Sequence, residues 1–296
     1  MGLKIENVTK HFGDKIAVDN ISFEMNEPGV FGLLGTNGAG KTTTIRMMLG
    51  IIKKDTGEIT WNGKVVERKH VNFGYLPEER GIYPKTKIYE QLLYFAELKG
   101  MKKEEASKEI DYWMQRLKVD EYKNMMAEKL SKGNQQKVQF ITAILHNPEL
   151  IVLDEPFSGL DPVNTELLKE VILELVAKGK DIIMSSHQMT SIEEFCSNVV
   201  IINRGKTVLK GNLKEIKNSY PAKKLEINVK QDITAQINEL EMKIEKNIDN
   251  NYEISINSEE QAYALMKKLV EQGIQIDKFE LKKPSLNDIF IEKVGA

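Results

Sequence analysis

The stretch Gly35-Thr36-Asn37-Gly38-Ala39-Gly40-Lys41-Thr42, entered from the apolar run Val30-Phe31-Gly32-Leu33-Leu34, decides the fold. It satisfies G-x-x-x-x-G-K-[ST] in full and lies between a strand-like run and a helix-like one, the setting in which the pattern means phosphate binding. Glycines at 35, 38 and 40 let the backbone close around an anion, so that successive N–H groups point at the α/β-phosphates of a nucleotide. Lys41 then reaches the β/γ oxygens, and the Thr42 hydroxyl is placed to ligate Mg²⁺. From Thr43 to Leu49 the pattern is helical, and the positive end of that helix adds to the attraction for phosphate.

The chain outside this loop sets bounds. Its 296 residues suffice for one large domain and a small one. A single cysteine, Cys196, excludes an intramolecular disulfide, fits a reducing compartment and reads as a packing residue. A net charge of −2 offers no electrostatic case for nucleic acid as a partner or for an anionic membrane surface. No run approaches the roughly 18 apolar residues that span a bilayer, and the first residues lack a signal-peptide core. The expectation is a cytoplasmic protein that meets a membrane only through another subunit.

Leu3, Ile5 and Val8 alternate with polar residues and predict an edge strand; Ile21 to Met25 predicts another, with His11-Phe12-Gly13-Asp14 as a turn between them. Asn62-Gly63 predicts a hairpin turn within Gly57 to Lys64. From Lys87 to about Glu128 the pattern turns helical, and the charge run Lys102-Lys103-Glu104-Glu105 reads most simply as a solvated helix face, with a partner-contact surface as the alternative. Leu150-Ile151-Val152-Leu153 and Asp181-Ile182-Ile183-Met184 flank a helix at about 164–178, so strand, helix, strand argues a parallel sheet. Tyr220-Pro221 marks a linker, giving domains at 1–219, with a helical subdomain at about 87–145, and 220–296. The second of these alternates as β-α-β-β-α-β, a split βαβ unit of ferredoxin-like type, followed by a helix from Ser285 to Lys293.

Asp154 and Glu155 follow directly on the apolar run 150–153. A carboxylate at a strand end beside a phosphate loop holds Mg²⁺ through water, the reading for Asp154. Glu155, one step further, is placed to act as general base on the attacking water.

Three more segments complete an ordered set: Leu130-Ser131-Lys132-Gly133-Asn134-Gln135-Gln136, Ser158-Gly159-Leu160-Asp161, and Ser185-Ser186-His187. Phosphate loop, L-S-x-G, strand-Asp-Glu-Pro, S-G-L-D and a lone histidine in that order resemble the ATP-binding subunit of ABC transporters. The resemblance covers about residues 3 to 218. It implies an α/β fold of ABC-type P-loop ATPase, with a mixed or parallel sheet core, an antiparallel β subdomain and a helical subdomain.

It also implies roles. Gly35 to Thr43 and Lys41 hold ATP, Thr42 and Asp154 hold Mg²⁺, Glu155 is the base and His187 contacts the γ-phosphate. Phe12 matches the aromatic that stacks on adenine, where the family usually has Tyr. Ser131 and Gly133 touch the γ-phosphate of ATP held by the opposite subunit, and Asp161 sits at the dimer seam. In Gly74-Tyr75-Leu76-Pro77-Glu78 the family commonly has Gln at the position of Glu78, a candidate catalytic and metal residue here whose carboxylate would tighten metal binding and repel phosphate; the alternative is a loop carboxylate facing solvent. Lys132 and Asn134 depart from the commonest L-S-G-G-Q signature, while Ser131 and Gly133 are retained.

The segment from Gly74 through Glu79-Arg80-Gly81, together with 130–137 and Pro284-Ser285-Leu286-Asn287-Asp288-Ile289-Phe290, resembles the exporter branch that includes sodium-efflux and multidrug ATPase subunits. The expected function is an ATPase that dimerises on ATP and powers a separately encoded integral-membrane permease, exporting sodium ion, drug or peptide. Two alternatives stand beside it. Soluble ABC-type ATPases acting on DNA or ribosomes carry a long coiled-coil insertion or two nucleotide domains, and neither is present here. A nucleotide-responsive regulator without turnover is opposed by Glu155 and His187.

Overall fold

The computed structural model describes residues 2–67, 72–79 and 81–294, apart from the side chains of Thr190 and Ser191. The chain divides into two compact units, Met1–Lys210 and Gly211–Ala296. In the first, β1 (Leu3–Phe12), β2 (Lys15–Met25), β3 (Gly29–Leu34), α1 (Lys41–Met48), β4 (Thr56–Trp61), β5 (Lys64–Val65) and β6 (Phe73–Leu76) precede the helical segment. Then come α2 (Ile88–Leu98), α3 (Lys103–Arg116), α4 (Lys132–Ile144), β7 (Leu150–Asp154), α5 (Pro162–Ala177), β8 (Asp181–Ser186), α6 (Met189–Glu193), β9 (Asn198–Asn203) and β10 (Lys206–Asn212).

The amino-terminal sheet has the order β2-β1-β4-β5. This corrects the expectation of an edge strand at Leu3, Ile5 and Val8: β1 is interior, pairing antiparallel with β2 on one side and β4 on the other. Its polar residues lie on the solvated face of an antiparallel sheet, which alternates as an edge strand does. Leu3 faces Trp61 and Ile5 faces Ile59, so both strands direct their apolar residues into one core. The predicted turn at 11–14 is shorter than expected, because β1 runs through His11 and Phe12, and only Gly13-Asp14 separate Phe12 from its partner Lys15. Asn62 and Gly63 take φ of 50° and 77° and close the β4–β5 hairpin, as their sequence predicts.

A second sheet has the order β10-β9-β3-β8-β7-β6, and its β9-β3-β8-β7-β6 pairings are all parallel. Strands covered on both faces read as continuous apolar runs, and β7 is buried from end to end. The helical stretch predicted from 87 breaks at Gly100, whose φ of 86° suits glycine, so that α2 and α3 are separate. Lys102 to Glu105 are exposed, as a solvated face should be. Cys196 is buried against Gly32, where an added methyl carbon would sit 3.2 Å from its Sγ, and burial pushes the thiol up.

The second unit contains α7 (Leu213–Asn218), β11 (Lys224–Val229), α8 (Thr234–Glu239), β12 (Lys243–Ile248), β13 (Asn251–Ser255), α9 (Glu259–Glu271), β14 (Ile276–Lys282) and α10 (Leu286–Val294). Sheet order β12-β13-β11-β14, with every pairing antiparallel, is the predicted ferredoxin-like arrangement. Leu225, Ile227, Tyr252, Ile254, Leu265 and Leu269 are fully buried in a core of its own. Ser285 and Asp288 cap α10 reciprocally: each side chain accepts the other's backbone N–H. Among the described residues, no helix is long and apolar enough to cross a membrane.

Candidate active site

Strands β3, β8, β7 and β6 are successive neighbours and parallel, so their carboxyl ends lie side by side. Each continues into a segment singled out above: the phosphate loop after β3, His187 after β8, Glu155 after β7 and Glu78 after β6. Crevices at the carboxyl ends of parallel strands are where such sheets bind ligands.

The loop between β3 and α1 keeps its shape through glycine. Gly35 (φ 153°) and Gly40 (φ 110°) pass so close to other backbone that an added Cβ would lie 2.2 Å from Ile202 O and 2.6 Å from Ala17 O. Thr36, Asn37 and Gly38 are exposed at the tip, while Ala39 is buried and bonded through its carbonyl to Gly205 N–H at 2.9 Å. Lys41 begins α1, 6% exposed, and its Nζ donates to Gly35 O (2.8 Å) and Thr36 O (3.3 Å). The ammonium thus folds back over the concave face of its own loop. Thr43 follows it in the first turn, half-buried.

The two carboxylates have different surroundings. Asp154 is fully buried; it accepts from Thr42 Oγ1 at 3.0 Å and from the Ser185 hydroxyl. Burial raises its pKa, against the pull of those hydrogen bonds and of Lys41, and the neighbouring Glu155 adds to the rise. Its charge also reaches Tyr75, whose phenol is pushed up to about 12, first by burial and then by Asp154. A buried carboxylate beside a threonine hydroxyl is a hard oxygen pair that suits Mg²⁺. Among the described residues no three His, Cys, Asp or Glu side chains gather as a metal-ligating group. The observed pair that fits Mg²⁺ is Thr42 with Asp154, further ligands being left to phosphate, water and the candidate Glu78.

Glu155 takes a left-handed backbone conformation (φ 52°), uncommon outside glycine and a form of strain that recurs at active sites. The turn is held by its N–H, which donates to Ser185 O (3.2 Å) and Ser185 Oγ (3.3 Å). It aims the carboxylate back over β8. Oε1 accepts from His187 N–H at 2.8 Å, lies 2.8 Å from His187 Nδ1 and 3.7 Å from Lys41 Nζ; Oε2 accepts from Ser186 Oγ at 3.3 Å. An ionised carboxylate only accepts, which assigns the ring proton to Nδ1. Lys41, Thr42, Asp154, Glu155 and His187 are thereby brought into one cluster.

The remaining candidates lie outside that network. Ser131 caps α4, its Oγ accepting Asn134 N–H at 3.2 Å, and stays exposed. Gly133 packs on the 159–161 turn, where an added Cβ would be 3.4 Å from Leu160. Asp161 caps α5 by accepting Asn164 N–H at 2.9 Å, a bond that holds its carboxyl below the usual range. Phe12 is half-exposed at the tip of β1, with Lys10 Nζ 5.5 Å from its ring centre. Glu78 is exposed in the loop after β6. Arg80, part of the quoted exporter-like segment, lies outside the described residues.

Ser185 and Ser186 did not figure among the candidate site residues. Two hydroxyls ending an otherwise apolar buried strand were the available signal, since buried hydroxyls require partners.

Comparison with known proteins follows the same division of the chain. Residues 18–158 match the family model described as ABC transporter, and residues 211–294 match ATP-binding protein DrrA1-3-like, C-terminal domain. The chain is 50% identical over 296 residues to the uncharacterized ABC transporter ATP-binding protein YhaQ of Bacillus subtilis (strain 168), covering 99% of each. It is 32% identical to the bacitracin transport ATP-binding protein BcrA of Bacillus licheniformis, over 99% of this chain and 97% of that one. A solved structure titled ATP binding subunit of ABC transporter superposes with a TM-score of 0.68 at 28% identity, covering 74% of this chain and 93% of its own.

Proposed function

The chain belongs to the ATP-binding proteins of ABC transporters, and from that premise we propose that it is the ATP-hydrolysing subunit of an exporter whose permease is a separate chain. One observation carries the catalytic reading: Glu155 stands 3.7 Å from Lys41 and 2.8 Å from His187, beside the Thr42–Asp154 pair, at the ends of adjacent parallel strands. The exporter reading is supported by the DrrA1-3-like tail and by similarity to a bacitracin transport protein.

The residues divide the work. Phe12 offers an open aromatic face to adenine, and backbone N–H groups from Gly35 to Thr43 surround the phosphates. Lys41 turns from its loop carbonyls to the β/γ oxygens. Thr42 and Asp154 hold Mg²⁺, which when bound neutralises charge on the β- and γ-phosphates. Glu155 takes a proton from the attacking water, and His187 meets the departing phosphate. Glu78 adds negative charge beside metal and phosphate. Ser131 and Gly133 of a second copy close over the nucleotide, with Asp161 at the seam, so a homodimer completes each site.

The test is to isolate the chain with the membrane protein it binds, reconstitute the pair in vesicles, and measure ATP hydrolysis against sodium ion, peptide antibiotics and lipidic compounds. Stimulation by one class, with its ATP-dependent movement, supports the exporter. Turnover indifferent to membrane partner and compound alike refutes it.

A further inference from the structure

Helix α4, capped by Ser131, buries two amides along its length: Gln136 and Gln139 are 6% and 4% exposed. Neither donates within its own helix. Gln136 Nε2 donates to Pro156 O at 3.1 Å, next to Glu155. Gln139 Nε2 donates to Pro77 O at 3.2 Å and Glu79 O at 3.0 Å, the two carbonyls that bracket Glu78.

Gln139 also carries a cost. Its Oε1 is buried and accepts from no described residue. A buried acceptor without a donor destabilises a fold, and leucine at this position would bring no such acceptor. Leucine there would remove that acceptor but leave two loop carbonyls without their donor. What the amide alone supplies is a two-point grip on the Glu78 loop.

We propose that Gln139 is a positioning residue for Glu78: by clamping the carbonyls on either side, it fixes where that carboxylate stands and ties it to the helix that Ser131 caps. This rests on the reading of Glu78 as a site carboxylate. Gln136 serves as the internal contrast, because its grip is on a different loop.

The experiment compares full-length wild type, Q139L, E78A, Q139L/E78A, Q136L and Q136L/E78A. It measures amide hydrogen exchange in the peptide spanning 76–82, and the Mg²⁺ concentration giving half-maximal ATP hydrolysis. Expected in Q139L are retained cooperative unfolding, roughly tenfold faster exchange in that peptide with β7 unchanged, and an Mg²⁺ requirement shifted at least about threefold. In the E78A background that shift should vanish, whereas the effect of Q136L should be the same in both backgrounds. Unchanged exchange, or an equal Q139L shift with and without Glu78, overturns the proposal. If E78A alone matches wild type while exchange still rises in Q139L, the reading of Glu78 has failed, and the positioning role is overturned with it even though the grip itself is real.

Discussion

Glu155→Gln separates chemistry from architecture at this site. Glutamine keeps the shape of the side chain. Its carbonyl oxygen inherits the two His187 contacts, both 2.8 Å, and its Nε2 donates to Ser186 Oγ, reversing the 3.3 Å bond. The structural cost is the weakening of charge-assisted hydrogen bonds to neutral ones, about 1–2 kcal/mol in total. The chemical cost is loss of the proton acceptor, worth about 10²–10⁴ in turnover, or about 2.7–5.4 kcal/mol of barrier. ATP affinity and melting temperature should therefore stay near wild type, while steady-state phosphate release nearly ceases and an ATP-held dimer accumulates on size-exclusion chromatography. Turnover within about threefold of wild type would take Glu155 out of the base role.

Other perturbations probe the surroundings. Asp154→Asn removes a fully buried charge yet keeps partners for Thr42 and Ser185, so calorimetry without nucleotide should show an equal or higher melting temperature and assays a lost Mg²⁺ response. Glu174 on α5 is pushed up by burial, but Lys178, Tyr112 and Arg116 outweigh that and hold its carboxyl at about 2, against 4.5 ordinarily. A lowered carboxylate pKa stabilises above the unfolded value and is lost as pH falls through the folded one. Glu174→Gln should thus cost about 1–2 kcal/mol at pH 7, discounted for partial exposure, with the difference from wild type shrinking from pH 4.5 towards 2 in urea melts. Residues 220–296 enclose a separate core, so that fragment alone should unfold cooperatively. A broad, non-cooperative melt would contradict that.

Spacing made the phosphate loop and the acidic pair legible because their chemistry fixes residue type at each position. Strand identity at 3–12 was also legible, but not its interior place: the partner β4 lies some fifty residues on, and alternation alone does not say how many neighbours a strand has. The turn at 11–14 was overdrawn since Phe12, polar-flanked and exposed, pairs through its backbone. The individual roles of Ser185, Ser186, Gln136 and Gln139 were not legible, for a common reason. Each is a polar residue in a buried run, and its meaning lies in the carbonyl or carboxylate opposite, which only the fold supplies.

That each ATP site is completed by a second copy is the central claim, and complementation tests it most directly. K41A lacks the phosphate-loop ammonium and S131R blocks the segment offered to the partner, so each homodimer should be inactive. Mixed in equal amounts, half the dimers are hybrids, each with one site built from an intact loop and an intact Ser131, predicting recovery of about a quarter of wild-type hydrolysis. No recovery on mixing, or full activity of S131R by itself, would contradict the account.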